Sequence, residues 1–528
     1  MGWSRVREIG LLPHFTVTWR KEYIRQIGAQ GYLFNRLINL ANEKDGGQCP
    51  PYMTIQNNIM ELNNKTTYHF IGVGGIGMSG LAELLVRQGY RVSGSDLAEG
   101  DITRRLAGLG VRVHLGHRAE HLGDADVVVH STAVKEDNPE LAAARARGLK
   151  ILRRGELLAD LMKNHTQVAV TGMHGKTSTT AMTAAVLRAG NLDPTVVVGS
   201  VWDGLGSNAV LGRGEVFVAE SDESDGSFAL LSPEITIITN LDKEHLDYYR
   251  DLAHVQEMFA AYVQRLPKGA RVIACADDPH LAPVLADCPH ELITYSLNSQ
   301  TAEFFATDLT PQGLGYRFRL WRRGQPLGTV TLPLAGSHYV LNAMAACAVG
   351  SLLGLEFPAW QQGLRDLGQI HRRCQLKGEA RGILVMDDYG HHPTEIRSTL
   401  TGLAQAFPHR RLVVAFQPHR YSRTRALLPE FFSVFDQAEM VFITEIYGAG
   451  EDRLNGVSGR SVYEGVCRTG HPGVYFIEEN AEKADYILDH LNAGDLVLTL
   501  GAGDIWKTGE ELLARLQNRA APQEARRA

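Results

Sequence analysis

The chain of 528 residues carries a net charge of −6, and 44% of its residues are hydrophobic and 21% charged. These values are typical of a globular protein with roughly three to four domains of about 150 residues each. The acidic balance disfavours nucleic-acid binding, which usually requires a basic surface. No apolar run approaches the roughly 18 residues of a membrane helix, the N-terminus lacks the layout of a signal peptide, and the six cysteines form no CxxC pair. We therefore expect a cytoplasmic protein without membrane insertion.

Residues 1–65 do not share the pattern of the rest of the chain. The stretch "TWRKEYIRQIGAQGYLFNRLINLANEKD" could form a helix of mixed character, and "GGQCPPYM" interrupts it. Met53 and Met60 stand just before the first strand-like run. We expect translation to begin at one of these methionines, which would make residues 1–65 an N-terminal extension outside the native fold. A genuine N-terminal arm is the alternative.

From about Lys65 onwards, apolar runs alternate with helix-like stretches. Examples of the runs are "YHFIGV", "QVAVTG", "EVFVAE", "GILVMDDYG" and "RLVVAFQP". Such alternation predicts an α/β fold in which helices cover parallel sheets. The runs fall into three blocks, 66–163, 164–369 and 370–515, and residues 516–528 have the composition of a charged tail. We expect each block to be a domain.

The first block contains a glycine-rich turn, "GVGGIGMSG", between a strand and a helix. The next strand ends at Asp96, near the usual spacing of a carboxylate that binds a ribose. The pattern fits a dinucleotide. It fits a mononucleotide diphosphate equally well, because the same helix dipole and glycines would bind either ligand.

The central block opens with a second turn of this kind, "VTGMHGKTSTT", after the strand "QVAVT". Backbone N–H groups at a helix start attract phosphate, a lysine there reaches the terminal phosphates, and a threonine hydroxyl suits Mg²⁺. The full phosphate-loop pattern has a glycine where this chain has Val170. The residues that fit the pattern are Gly172, Gly175, Lys176, Thr177 and Ser178. Two separate diphosphate sites suggest ATP at one and a nucleotide-linked substrate at the other.

Two later strands of the central block end in possible metal ligands. "EVFVAE" ends at Glu220, and "EITIITN" ends at Asn240, with His245 five residues further on. Because ligands collect at the carboxyl ends of parallel strands, we expect Thr177, Glu220 and His245 to converge on one edge of the sheet. Carboxylate and hydroxyl oxygens suit Mg²⁺, and an imidazole is a tolerable addition.

In the third block, two polar clusters each follow a strand. "DDYGHHPTE" contains Asp388 and His391, and Pro393 is placed to start a helix. "QPHRYSRTR" contains Arg420 and Arg423, which would share a face if a helix starts there. Their forked guanidinium groups suit carboxylate or phosphate.

Arg372 and Arg373 stand near the join of the second and third blocks. We interpret them as a further contact for an anion. The alternative for this pair is a salt bridge at a domain interface.

Taken together, the motifs resemble those of the Mur ligase family. In chain order they are "GVGGIGMSG", "HSTAVKEDNPE", "TGMHGKTSTT", "AESDESDGSF", "TNLDKEHLDYY", "GSHYVLNAMAA", "HRRCQ", "DDYGHHPTE", "FQPHRYSRTR" and "LGAGDI". The matches run over roughly 70–505 and are highly specific as a set. The resemblance implies a Rossmann-like N-terminal domain that binds a UDP-linked substrate, a central phosphate-loop ATPase domain and a Rossmann-like C-terminal domain.

The resemblance also implies roles for individual residues. Catalytic roles fall to Lys176, Glu220, His245, His391 and Arg420. ATP contacts fall to Gly172, Met173, His174, Gly175, Lys176, Thr177, Ser178, Asn342, Arg373 and Asp388. Substrate contacts fall to Gly74, Gly75, Gly77, Ser95, Asp96, Ser131, His391, Arg420 and Arg423. The implied Mg²⁺ ligands are Thr177, Glu220 and His245.

The implied activity is ATP-dependent amide formation in the cytoplasmic synthesis of peptidoglycan precursors. L-Alanine would be joined to the lactyl carboxylate of UDP-N-acetylmuramate through an acyl phosphate, with Mg²⁺ as the cofactor. The alternative within the family is a recycling ligase that attaches an existing tripeptide to the same UDP-sugar. Two other classes stay open from the residues alone: a phosphate-loop ATPase that acts as a motor or switch, and a nicotinamide-binding redox protein.

Overall fold

The computed structural model of the protein describes residues 66–246, 248–479 and 482–518. The predicted N-terminal extension, 1–65, lies outside the described residues, and so does the expected late start at Met53 or Met60. Most of the predicted tail, 519–528, also lies outside them. Within the described residues the fold is α/β, as the sequence predicts.

The strands are numbered β1 to β21 in chain order. Their bounds are Thr67–Ile71, Arg91–Asp96, Arg112–Leu115, Val127–His130, Lys150–Arg153, Thr166–Thr171, Thr195–Trp202, Ser207–Val210, Val216–Glu220, Ile235–Ile238, Arg271–Cys275, Glu291–Ser296, Phe304–Gln312, Gly315–Arg322, Gln325–Leu332, Gln375–Ala380, Ile383–Asp388, Leu412–Phe416, Met440–Ile443, Val474–Phe476 and Leu496–Leu500.

The α-helices are named by their residue ranges. These are Ile76–Arg87, Asp101–Gly108, Pro139–Ala146, Arg154–Met162, Lys176–Ala189, Leu252–Arg265, Leu281–Leu285, Ser337–Leu352, Phe357–Arg365, Pro393–Ala406, Tyr421–Ala426, Leu428–Phe431, Gly459–Arg468, Lys483–Leu488 and Trp506–Asn518. Short 3₁₀ turns occupy Ala119–Leu122 and Ser227–Leu230.

The first sheet has the strand order β3-β2-β1-β4-β5, and all its pairs are parallel. From β1 the chain first adds β2 and β3 on one side of this strand. It then crosses over and adds β4 and β5 on the other side of β1. Ligands of such sheets bind at this switch point, outside the carboxyl ends of the strands. The glycine-rich turn follows β1, so the predicted diphosphate site lies at the switch point.

The central sheet contains β15-β14-β13-β12-β11-β10-β6-β9-β7-β8 in that order. Strands from β12 to β7 in this order are parallel, whereas β8 pairs antiparallel with β7 at one edge. At the other edge, β13, β14 and β15 form an antiparallel meander that the sequence analysis did not predict. Because β10, β6 and β9 are neighbours, the phosphate loop, Glu220 and Asn240 all emerge at one edge.

The third sheet has the order β16-β17-β21-β18-β19-β20, in which only the β16–β17 pair is antiparallel among the described strands. Asp388 ends β17, and the cluster "QPHRYSRTR" follows β18. Every residue of β17, β18 and β21 is buried. Continuous burial of this kind is typical of parallel strands that are covered on both faces.

The last helix, Trp506–Asn518, extends through the predicted start of the tail at 516. Leu516 is 3% exposed and packs in a core cluster with Ile383 and Leu512. Apolar contact with the third sheet therefore keeps this last turn helical despite its charged composition.

The first and central sheets are joined through a buried carboxylate on the helix Ile76–Arg87. Glu83 is 1% exposed; it accepts a hydrogen bond from Ser207 Oγ at 2.7 Å and pairs with Arg105. Arg105 also donates to Asn208 Oδ1 at 2.7 Å, and Asn208 Nδ2 donates to Ile76 O at 2.6 Å. A buried charge needs partners of this kind, so the contact depends on specific geometry.

No helix in the described ranges combines the length and the apolar character that crossing a bilayer requires.

The helix Phe357–Arg365 approaches the helix Lys176–Ala189 closely at Gly363, where a Cβ would lie 2.6 Å from Ala185 O. Replacing Gly363 by Ala should therefore destabilise the protein by about 1–3 kcal/mol through overpacking. Gly108→Ala is the matched control, because Gly108 is exposed at the end of its helix and a Cβ there would meet nothing within 4 Å. It should be neutral or stabilise by up to about 1 kcal/mol. The unfolding midpoints of the two variants, measured by calorimetry, test this prediction. Equal midpoints would contradict the close packing of the two helices at Gly363.

Candidate active site

The phosphate loop between β6 and the helix Lys176–Ala189 depends on two glycines with left-handed backbone. Gly172 has φ of 118° and Gly175 has φ of 80°. A side chain at Gly172 would overlap Thr239, and a Cβ at Gly175 would lie 2.9 Å from Asn342 Oδ1. Both positions therefore require glycine, and the loop turns back into the first N–H groups of the helix, where an anion is favoured.

Asn240, at the end of the neighbouring strand, supports this loop. Its backbone carbonyl accepts from Met173 N at 3.0 Å, and its side-chain Oδ1 accepts from His174 N at 2.8 Å. Asn240 Nδ2 and Thr239 Oγ1 both donate to His174 O, at 3.0 and 2.7 Å. Asn240 thus fixes the shape of the loop.

Lys176 provides a buried positive charge inside the loop. Its Nζ donates to Glu223 Oε1 at 2.7 Å and to the carbonyl oxygens of Gly172 and Met173 at 2.9 and 3.0 Å. Burial opposes the charged form, but Glu223 and Glu220 outweigh it and raise the pKa of Lys176. The side chain is therefore an ammonium at neutral pH.

The predicted metal ligands lie around the same loop. Thr177 Oγ1 donates to Glu220 Oε1 at 3.1 Å, and Glu220 Oε2 accepts from Gly199 N at 2.7 Å. His245 Nε2 lies 3.3 Å from Glu223 Oε1, the atom that also binds Lys176. Glu223 therefore links His245 to the loop.

Sequence reasoning missed Glu223, although it is 1% exposed and carries a buried oxygen, Oε2, without a hydrogen-bond partner. Its segment, "ESDESD", has the composition of a solvated loop. Its position three residues after Glu220 could have indicated a functional role. The burial of the segment, however, depends on tertiary packing and cannot be read from the sequence. An unpartnered, buried carboxylate oxygen on a side chain that contacts Lys176 and His245 fits a hard divalent cation such as Mg²⁺.

The third domain contributes Arg373, which precedes β16, and Asp388, which ends β17, to this site. Arg373 Nη2 donates to Thr177 Oγ1 at 3.4 Å, and its guanidinium lies 5.2 Å from the ring centre of Tyr389. Asp388 accepts from Cys374 N at 2.7 Å and from Gly390 N at 2.8 Å. Burial raises the pKa of Asp388 to about 6, although Arg373 opposes the shift.

Arg372 does not accompany Arg373 into the site. Its Nε donates to Asp387 Oδ2 at 3.1 Å, and its Nη1 donates to Gly503 O at 3.1 Å. These contacts are internal to the third sheet. Arg372 therefore binds within its own domain, and its predicted contact with an anion stays a prediction.

A cavity of about 390 Å³ lies between the phosphate loop and the third sheet. This volume is within the range of small-molecule sites. Predicted ATP-binding residues in its lining are His174, Gly175, Ser178, Asn342, Arg373 and Asp388. Lining residues that the sequence analysis missed include Asp277, Asp278, His280 and His338. The acidic pair follows β11 directly, so its place at a strand end was an available signal.

Two predicted residues of the third domain, His391 and Arg423, lie beside the segment that carries His245. Arg423 Nε donates to Glu244 Oε1 at 2.9 Å, whereas Arg420 pairs with Glu451 Oε1 at 3.2 Å. Arg420 precedes the helix Tyr421–Ala426 and has φ of 67°, so the two arginines bind different carboxylates.

His391 is neutral at physiological pH. Its Nδ1 lies 3.0 Å from Tyr389 O, and because a carbonyl only accepts, Nδ1 carries the proton. Burial and Arg423 lower the pKa of His391 to about 4. The other ring nitrogen, Nε2, is therefore a hydrogen-bond acceptor.

In the first domain, the glycine-rich turn is closed by the end of β2. Gly74 N donates to Asp96 Oδ2 at 2.8 Å, and a Cβ at Gly74 would meet the same oxygen. Gly75 caps the helix Ile76–Arg87, and Ser131 follows β4 at the same edge of the sheet. Ser95 differs: its hydroxyl is fully buried and donates to Glu140 Oε2 at 2.5 Å. The structure thus gathers most of the predicted substrate residues but turns the Ser95 side chain away from them.

Arg154 connects this turn to the central domain, and sequence reasoning missed it. A Cβ at Gly77 would lie 3.0 Å from Arg154 Cδ, so the arginine side chain covers the turn. Arg154 Nη2 also donates to Asp222 Oδ2 at 2.7 Å, next to Glu223. The two predicted diphosphate sites are therefore joined by one guanidinium.

Comparison with known proteins assigns each of the three sheets to a domain of one protein family. Sequence models described as the Mur ligase family catalytic domain, the Mur ligase middle domain and the Mur ligase glutamate ligase domain match residues 67–166, 170–350 and 372–503. The chain is 48% identical over 451 residues to the UDP-N-acetylmuramate–L-alanine ligase of Syntrophobacter fumaroxidans, covering 85% of this chain and 96% of that protein. It is 47% identical over 449 residues to the ligase of the same name from Desulfosudis oleivorans, covering 85% and 98%.

A solved structure agrees with these relatives. The crystal structure of the UDP-N-acetylmuramate–alanine ligase of Thermotoga maritima superposes with a TM-score of 0.73 at 29% identity, covering 85% of this chain and 99% of that chain. The match therefore spans the described domains together. On this evidence the chain belongs to the Mur ligase family.

Proposed function

We propose that the protein joins L-alanine to the lactyl carboxylate of UDP-N-acetylmuramate, with cleavage of ATP to ADP and phosphate. The Mur ligase family is ATP-dependent, and the relatives named above are UDP-N-acetylmuramate–L-alanine ligases. The observation that carries the proposal is the reach of Arg373 from the third domain to Thr177 in the phosphate loop. A site assembled across domains in this way suits the joining of separate substrates.

The phosphate loop and the cavity beside it would hold ATP. The helix start and the Lys176 ammonium offer charge to the terminal phosphates. Asn342, which packs against Gly175 of the loop, and Asp388 of the third domain also line the cavity and would contact the nucleotide. Six of the ten predicted ATP contacts line the cavity, and the other four belong to the phosphate loop beside it.

Thr177, Glu220 and His245 would hold Mg²⁺, and we add Glu223 to this set because of its unpartnered Oε2. The ion would neutralise charge on the terminal phosphates of ATP. His245 has φ of 53°, a strained conformation that the surrounding contacts must maintain. A strained residue beside a charged loop is typical of a functional position.

In the first chemical step, the lactyl carboxylate oxygen attacks the γ-phosphorus of ATP, ADP leaves, and an acyl phosphate forms. Positioning and charge stabilisation provide most of the catalysis in such a transfer. Lys176 and Arg373 are the fixed cations beside the transferred group. Arg154, which covers the glycine-rich turn and binds Asp222, would orient the UDP-linked acid towards them.

In the second step, the amino group of L-alanine attacks the acyl carbon, an amide bond forms, and inorganic phosphate leaves with loss of a proton from the amine. Arg420 and Arg423 would orient the carboxylate of L-alanine and the intermediate by charge-assisted hydrogen bonds. His391 offers an acceptor nitrogen on the same side. The reaction would supply peptidoglycan precursors in the cytoplasm.

Lys176→Ala should lower turnover by a factor on the order of a thousand, because it removes the buried cation at the phosphates. Binding of UDP-N-acetylmuramate, measured by calorimetry, should change little, since its site is in the first domain. Lys163→Ala is the control; Lys163 pairs with Asp160 at the surface. Turnover that survives the loss of Lys176 would contradict the phosphate-loop assignment.

The substrate assignment predicts that ATP cleavage requires both UDP-N-acetylmuramate and an amino acid, and that L-alanine gives the product of the expected mass. Assays with glycine, L-serine and an existing tripeptide in place of L-alanine define the preference. Efficient use of the tripeptide would favour the recycling ligase. ATP cleavage at full rate without the UDP-sugar would indicate a motor or switch, and binding of nicotinamide nucleotide without UDP-sugar would indicate a redox protein.

Glu223→Gln should raise the Mg²⁺ concentration for half-maximal turnover by about tenfold or more, as expected for loss of a metal-binding carboxylate. The control is Asp225→Asn in the same acidic segment, because Asp225 accepts from Ser227 N at 2.9 Å as a turn cap. If turnover falls while the Mg²⁺ requirement stays unchanged, Glu223 acts only through its ion pair with Lys176 and does not bind the metal.

A further inference from the structure

His174, in the middle of the phosphate loop, lies between carboxylates of two domains. Its Nε2 lies 2.9 Å from Asp242 Oδ2 in the central domain, and its Nδ1 lies 3.3 Å from Glu395 Oε1 on the helix Pro393–Ala406. The His174 side chain is 12% exposed, and that of Glu395 is 14% exposed. The ring therefore connects the loop to the third domain.

Both contacts require a doubly protonated ring, because neutral imidazole has only one N–H and a carboxylate only accepts. Burial opposes the charge, but Asp242 and Glu395 outweigh it and raise the pKa of His174 to about 10. Other ionisable groups packed around the pair are His392, whose ring centre is 4.7 Å from that of His174, and the groups that face Glu395, namely Arg373, His391, His338 and Asp388. The imidazolium is the stable form across the physiological range.

The carboxylate partners of His174 are themselves anchored. Glu395 Oε2 accepts from His391 N at 3.0 Å and thereby caps the start of its helix. Asp242 Oδ2 accepts from Thr394 Oγ1 at 2.6 Å, which is a second link between the domains. The position of this helix start therefore depends on the His174 ring.

The same helix start is part of the cavity wall. Thr394, Glu395, Ser398 and Thr399 line the cavity from the third domain, and His174 lines it from the loop. A shift of the helix would change the distance between this wall and the phosphate loop. The ring is thus placed to set the shape of the nucleotide site without reacting itself.

A bound cation is a competing explanation, because the ligand atoms of His174, Asp242 and His392 lie within 4.8 Å of one another. His392 Nδ1 accepts from Thr394 N at 3.2 Å, however, so the lone pair that a cation needs is in use. Each ring nitrogen of His174 also faces a carboxylate oxygen, an arrangement that uses both nitrogens as N–H donors and leaves no lone pair for a cation. The contacts therefore favour an ion-pair bridge.

We propose that His174 is a positioning residue whose imidazolium bridges Asp242 and Glu395 and holds the third domain against the phosphate loop. This inference rests on the proposed function, because the wall that it positions is that of the ATP site. It adds to that function a cross-domain contact on which productive ATP binding depends.

A double-mutant cycle tests the bridge in the full chain, with His174→Gln, Glu395→Gln and the double variant. Each single variant should lower kcat/KM for ATP by about tenfold, and the double variant should be no worse than the singles, because all remove one shared interaction. The KM for UDP-N-acetylmuramate should stay within about twofold. Arg397→Gln, an exposed charge on the same helix, is the control and should match the wild type.

Three outcomes would overturn the bridge. If the losses of kcat/KM for ATP in the two single variants multiply in the double variant, His174 and Glu395 act independently. Equal changes in both KM values together with a fall in the unfolding midpoint would indicate a purely structural role. A stoichiometric metal in the purified wild type, detected by plasma mass spectrometry and absent from His174→Gln, would favour the cation. A wild type that fails to bind a non-hydrolysable ATP analogue in calorimetry would instead contradict the proposed function.

Discussion

The central domain is organised by the need to pair a buried ammonium. Lys176 lies inside the phosphate loop, where an unpaired charge would be strongly unfavourable. Its partner Glu223 must therefore be buried too, at 2.7 Å, and this draws the acidic segment after β9 under the loop. The same arrangement keeps Glu220 beside Thr177. One electrostatic requirement thus produces both the anion-binding loop and the carboxylates that suit a cation.

Ionic contacts cross the domain boundaries around this site, in addition to apolar clusters that neighbouring domains share. Arg154 binds Asp222 across the boundary of the first and central domains, and Arg423 binds Glu244 across the boundary of the central and third domains. Ionic contacts of this kind allow relative motion more readily than large apolar interfaces do. A ligase that must admit separate substrates and release separate products requires such motion. The ionic contacts therefore fit an active site that closes on its ligands.

The sequence predicts features that are local in the chain. Apolar runs identify the strands, and the glycine turns and Asp388 follow those runs directly, so their place at strand ends is predictable. Glu223 was missed because only tertiary burial distinguishes it from a solvated acidic run. Arg154 was missed because its partner Asp222 is 68 residues away. Ser95 illustrates the alternation along a strand: its hydroxyl binds Glu140, whereas the side chain of Asp96 and the backbone carbonyl of Ser95 contact the turn.

The two cations of the phosphate loop have different partners, and this difference gives the loop two functions. Lys176 is bound to Glu223 of its own domain, so its charge is available whatever the third domain does. His174 is bound also to Glu395, so its environment changes when the third domain moves. Under the proposed role of His174, the segment that would bind the phosphates of ATP would therefore also respond to the position of the third domain. Coupling between nucleotide binding and domain position then needs no additional element, since both act on residues only two positions apart.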